Sequence, residues 1–77
     1  KYHLQRSFQR YFGQSPGEYL TRLRLTRAKE LLRATDLPVS EVAYRVGMEN
    51  TSYFISVFRA REGATPQQYR RRWSPVA

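Results

Sequence analysis

Tyr2, Gln5, Arg6 and Gln9 stand at i, i+3, i+4 and i+7, the spacing that gathers side chains on one face of a helix. Arginine can pair bidentately with guanine and glutamine with adenine, so this face is chemically suited to reading base edges. Fifty residues later, Ser52, Ile55, Ser56 and Arg59 occupy the same four relative positions. The second face is thinner, with small hydroxyls and an isoleucine that suit phosphate contact and thymine methyl groups. Gln and Arg are also common on plainly solvated helix faces, so the first face alone decides nothing.

Other chemistry finds little to work with. The chain has 77 residues and no cysteine, which removes thiol catalysis, disulfides and cysteine zinc sites. His3 is the only histidine and has no second histidine or paired carboxylate near it in sequence, so no catalytic or metal-binding set is expected. It is expected beside a phosphate backbone or facing solvent. No enzymatic activity and no cofactor are expected. Fourteen Lys plus Arg against six Asp plus Glu give a net charge of +8, and twelve of the fourteen cations are arginine. Such a field attracts polyanions, and guanidinium suits phosphate and guanine better than ammonium does. No apolar run approaches a transmembrane length and no signal-peptide pattern opens the chain, so a cytoplasmic protein is expected.

The elements that position these faces are punctuated by glycine, proline and capping residues. A first helix over residues 2–12 ends at Gly13. Ser15, Pro16 and Glu18 read as N-cap, first helical residue and capping-box partner of a second helix running to Arg33 or Ala34. A loop holding Pro38 leads to a short helix from about Ser40 to Val46, closed by Gly47. Asn50 caps a helix to Glu62, Gly63 ends it, and Thr65, Pro66 and Gln68 start a last helix to about Trp73. No strand pattern appears. The fold class is all-α.

The start and end of the chain share a skeleton. At the 50-residue offset Leu4 meets Phe54, Phe8 meets Phe58, Gly13 meets Gly63, Pro16 meets Pro66 and Tyr19 meets Tyr69. The long helix between the copies carries two apolar sectors, Tyr19, Leu20 and Leu23 on one and Leu25, Ala28, Leu31 and Leu32 on the other. It reads as a connector serving two clusters, against the simpler alternative of one broad buried face. Residues 39–62 have the mechanics of a helix-turn-helix: Val39, Val42 and Val46 at helical spacing, small Ala43 for close approach, Gly47 for the sharp turn, then Phe54 and Phe58 facing inward. Tyr19 and Tyr69 are expected in the core. The run Arg70–Trp73 supports two readings, a phosphate clamp or a solvated helix end with Trp73 packed inward.

With these residues in place, the chain resembles the DNA-binding domain of the AraC/XylS family of bacterial transcription regulators. The matching text is "YHLQRSFQRYFGQSPGEYLTRLRLTRAKELL" followed by "LPVSEVAYRVGMENTSYFISVFRAREGATPQQYRRR". The resemblance implies two helix-turn-helix subdomains, homeodomain-like three-helix units joined by a long central connector helix. Residues 1–14 would hold the recognition helix of a truncated first unit, 15–34 the connector and 35–77 the second unit. Recognition helices 2–12 and 51–62 would enter successive major-groove segments of double-stranded DNA. Tyr2, Gln5 and Arg6 would read bases in the first unit, and Thr51, Ser52, Ile55 and Ser56 in the second. Lys1, Arg10, Ser40, Ser52 and Arg59 are the expected phosphate contacts.

The family pattern also implies two helices ahead of the first recognition helix, so the chain is expected to be a piece of a longer protein, with an effector or dimerisation domain outside it. Members of the family can touch the RNA polymerase sigma subunit through an acidic residue in the inter-helix turn; here Asn50 takes that place and the role falls to Glu49. The competing function from another class is a basic helical module that docks acidic protein partners. Membrane association is weaker still, because the aromatic residues fall on inward stripes.

Overall fold

The computed structural model describes residues 15–73. Ser15 is the N-cap of α1 (Pro16–Ala34), its hydroxyl accepting the Glu18 N–H at 3.2 Å, with Pro16 in the first turn. Proline has no N–H to leave unsatisfied there, and the Glu18 carboxylate complements the positive end of the helix dipole. At the far end both the N–H and the hydroxyl of Thr35 donate to the Leu31 carbonyl, at 3.0 and 2.7 Å. The 19 residues give a rod of roughly 28 Å.

The second helix, α2 (Val39–Arg45), starts one residue before the expected Ser40 and closes one residue before Val46. Proline accounts for the start: Pro38 has φ −57°, and its carbonyl accepts the N–H groups of Glu41 and Val42 at 2.9 and 3.0 Å. Its end is a Schellman motif. The Met48 N–H donates to the Ala43 carbonyl at 2.8 Å and the Gly47 N–H to Tyr44 at 3.0 Å, with Gly47 at φ +86°. Met48 and Ala43, the pair this motif brings into apolar contact, are both buried.

Next comes α3 (Thr51–Glu62), whose cap is the Asn50 side chain accepting the Tyr53 N–H at 3.0 Å. Gly63 ends it at φ +76° in the left-handed region. The last helix, α4 (Pro66–Trp73), opens with a reciprocal capping box. Thr65 Oγ1 accepts the Gln68 N–H at 3.2 Å, while Gln68 Oε1 accepts the Thr65 N–H at 3.0 Å.

Four helices and no strand make up the described residues, and α1 packs against both α2 and α4 while α3 packs against α2 and α4. The core is Leu25, Ala28, Leu31 and Leu32 from α1, Val42 and Ala43 from α2, and Phe54 and Phe58 from α3, with Val46 and Met48 from the turn. Phe54 and Phe58 have no solvent exposure, and each is worth roughly 2–3 kcal/mol of burial. Their rings lie 5.8 Å apart, and Tyr69 meets Phe58 edge-on at 5.6 Å. Two polar ties brace the edges: Lys29 with Glu62 at 3.3 Å, and Arg70 Nε donating to the Leu32 carbonyl at 3.1 Å.

The connector therefore buries its second apolar sector in this core. Of its first sector, Tyr19 is half-buried, while Leu20 and Leu23 are 45% and 48% exposed. The inward packing of Trp73 is not what the structure shows. The residue is 57% exposed, resting against Tyr69 at 6.1 Å with the Arg33 guanidinium 5.5 Å from its ring. The eight-residue helix turns Tyr69 and Arg70 to the core, and Trp73, its last residue, meets only the Tyr69 ring and the arginine of the last turn of α1 among the ring contacts of the described residues.

Candidate nucleic-acid interface

Helices α2 and α3, with the Gly47 turn between them, form the helix-turn-helix. Burial of Phe54 and Phe58 fixes the rotation of α3 and so decides what its far side presents. That side carries Ser52, Tyr53, Ser56, Arg59 and Ala60, all exposed. Thr51 and Ile55 sit on its flank and are half-buried; Ile55 leans on the core and lines a shallow groove with Val39 and Pro66. Ser40 is exposed in the first turn of α2. The sequence-derived set Ser40, Ser52, Ser56 and Arg59 thus lies open to solvent, with Thr51 and Ile55 at the margin. Lys1, Tyr2, Gln5, Arg6 and Arg10 lie outside the described residues.

Tyr53 was not foreseen. It is 59% exposed, a large aromatic with a hydroxyl on the presented side. Periodicity could not select it, because Tyr53 and Ile55 lie 100° either side of Phe54 on a helical wheel. Packing breaks that tie: Val39 and Pro66 crowd the Ile55 side, and the Tyr53 side stays open.

The turn is held by more than its own hydrogen bonds. A Cβ on Gly47 would sit 3.3 Å from the Arg24 guanidinium, so the connector lays an arginine against the turn. Asn50 is exposed there and spends its side-chain oxygen on the α3 cap, which leaves Glu49 as the exposed carboxylate of the turn. Arg45 is paired with Glu41 on α2 at 3.0 Å, whereas Arg59 makes no ion pair among the described residues. In the last helix Arg70 faces the core and Arg71 and Arg72 face solvent, so a phosphate clamp here would rest on the latter two. No group of three or more His, Cys, Asp or Glu residues that could hold a metal ion occurs among the described residues.

A protein-family model described as a helix-turn-helix domain matches residues 1–72. A solved transcriptional regulator of the AraC type from Chromobacterium violaceum superposes with a TM-score of 0.88 at 29% identity, over 97% of this chain and 67% of the other. The chain belongs to the AraC-type helix-turn-helix family. Among AraC-type relatives, the transcriptional activator RhaR of Yersinia pseudotuberculosis is 41% identical over 75 residues, 95% of this chain and 26% of RhaR. The chain thus spans about a quarter of the length of that curated relative. The DNA-binding domain of AdpA, a global transcriptional factor solved in complex with a target DNA, is 32% identical with a TM-score of 0.86, over 90% of this chain and 62% of that one. The all-helical architecture and the helix-turn-helix at residues 39–62 are those of the family.

Proposed function

We propose that this chain is a sequence-specific double-stranded DNA-binding module of a bacterial transcription regulator. The supporting observation is the exposed side of α3, small hydroxyls and an exposed arginine on a helix whose rotation is fixed by two fully buried phenylalanines. Membership in the AraC-type family, with AdpA solved on its target DNA, supports the same reading. In this proposal α3 lies in the major groove, with Thr51, Ser52, Ile55 and Ser56 at base edges and Tyr53 joining them from the open flank. Arg59 and Ser52 meet phosphates, and Ser40 meets the backbone the helix crosses.

The first recognition helix supplies Tyr2, Gln5 and Arg6 to a second groove segment, flanked by Lys1 and Arg10 on phosphates. Arg6 and Gln5 dominate base discrimination, since α3 offers no forked side chain of its own on Ser52, Ile55 and Ser56. The whole protein acts in the cytoplasm, carries an effector or dimerisation domain elsewhere, and can engage the sigma subunit of RNA polymerase through Glu49.

Arg6→Ala tests the assignment of the readers. The expected loss is roughly 1–3 kcal/mol on cognate sites, with random duplex little affected at the same salt. Equal weakening on both would remove Arg6 as a base reader.

A further inference from the structure

Away from the presented side of α3, a cleft of about 370 Å³ opens between α1 and the C-terminal end of α3. Arg22, Thr26 and Lys29 line it from one face of α1, Arg61 and Glu62 from α3, and buried Leu25 forms its floor. We propose that this cleft is a second interaction site, which takes a carboxylate-bearing segment of a partner protein.

Three observations carry the proposal. Five of the six lining residues are polar or charged, which suits an ionic side chain and not an apolar one. Lys29 is already paired with Glu62 at 3.3 Å, while Arg22 and Arg61 are exposed and make no ion pair among the described residues, leaving two guanidiniums at the rim for a carboxylate. Arg61 lies five residues beyond Ser56, about 140° round the helix, so a duplex seated on the Ser52–Ser56 side leaves the cleft free.

The choice of a protein segment over a nucleic-acid backbone rests on Glu62. Its carboxylate is held by Lys29, which leaves the two guanidiniums beside a compensated pair in a small cleft, a match for an isolated acid of a protein segment and not for a continuous row of phosphates. The cleft is thus separate from the duplex-binding reading and can be tested apart from it.

The probe is a fluorescein-labelled peptide of alternating glutamate and glycine, titrated by anisotropy with and without saturating duplex. Arg22→Gln with Arg61→Gln is expected to weaken peptide binding about tenfold, while the charge-matched pair Arg27→Gln with Arg33→Gln, exposed on α1 outside the cleft, weakens it less than about threefold. Peptide is expected to stay bound when duplex is added, and duplex affinity to fall no further for the cleft pair than for the matched pair. Amide shift changes on peptide addition should centre on Leu25, Thr26 and Arg61, which tests the site without any substitution. Equal losses in the two pairs, or no peptide binding, would overturn the proposal. Displacement of peptide by duplex, or a selective loss of duplex affinity in the cleft pair, would assign the cleft to nucleic acid instead.

Discussion

The two sides of α3 are written in the same twelve residues and obey opposite rules. The inner side is two fully buried phenylalanines in ring contact with each other and with Tyr69. The outer side is serine, arginine, alanine and one exposed tyrosine. Stability is concentrated on the first and recognition is proposed for the second, so one helix can change its outer residues without endangering the fold. Substitutions should therefore separate by side, inner ones acting on stability and outer ones on binding.

The largest effect is expected inside. Phe58→Ala should cost about 3–5 kcal/mol in chemical denaturation, because the cavity it leaves is lined by Phe54 and Tyr69. A loss under about 1 kcal/mol would mean that the buried side does not carry the fold. Next comes the turn that aims the helix. Gly47→Ala forces a side chain into φ +86° and against Arg24, and should cost roughly 1–3 kcal/mol. Gly63→Ala shares the positive angle but meets no atom within 4 Å, so its thermal shift should be the smaller of the two.

Asn50→Ala removes the cap of α3 and should lower stability by about 1 kcal/mol. Asn50→Asp, which keeps the acceptor, should recover most of it in the same melt. The smallest stability effect belongs to the outer side. Arg59→Ala should leave unfolding within about 0.5 kcal/mol of the parent, yet weaken all duplexes alike and lower the salt slope by about one. A large stability loss there would show that the outer side also holds the fold together.

The sequence made the frame of this molecule readable because its boundaries are chemical. Ser15, Pro16, Gly47, Asn50, Gly63, Thr65 and Gln68 each do locally what their side chains or backbone freedom allow, and neighbouring packing has little vote. The inward set Leu25, Ala28, Leu31, Leu32, Val42, Phe54 and Phe58 follows from helical period alone. What depended on packing was harder to read. Tyr53 and Ile55 are equivalent by period, and only the positions of Val39 and Pro66 distinguish them. Arg70 looked like one more surface cation in an arginine run, but it reaches the Leu32 carbonyl across 38 residues of sequence. Trp73, apolar and in register with an inward stripe, lies on the surface with an arginine of α1 against its ring, a placement that period alone does not give. The Arg24 contact with Gly47 leaves no trace in local sequence either.

In the proposed reading this chain recognises duplex DNA by sequence. Recognition by sequence is measured as the ratio of its affinities for a duplex selected from a random pool and for that duplex scrambled, at one fixed salt concentration. A sequence reader should prefer the selected duplex by roughly a thousandfold or more, and both affinities should fall steeply as salt rises. Equal affinities with the same salt slope would contradict it and leave only a basic surface that holds DNA without reading it.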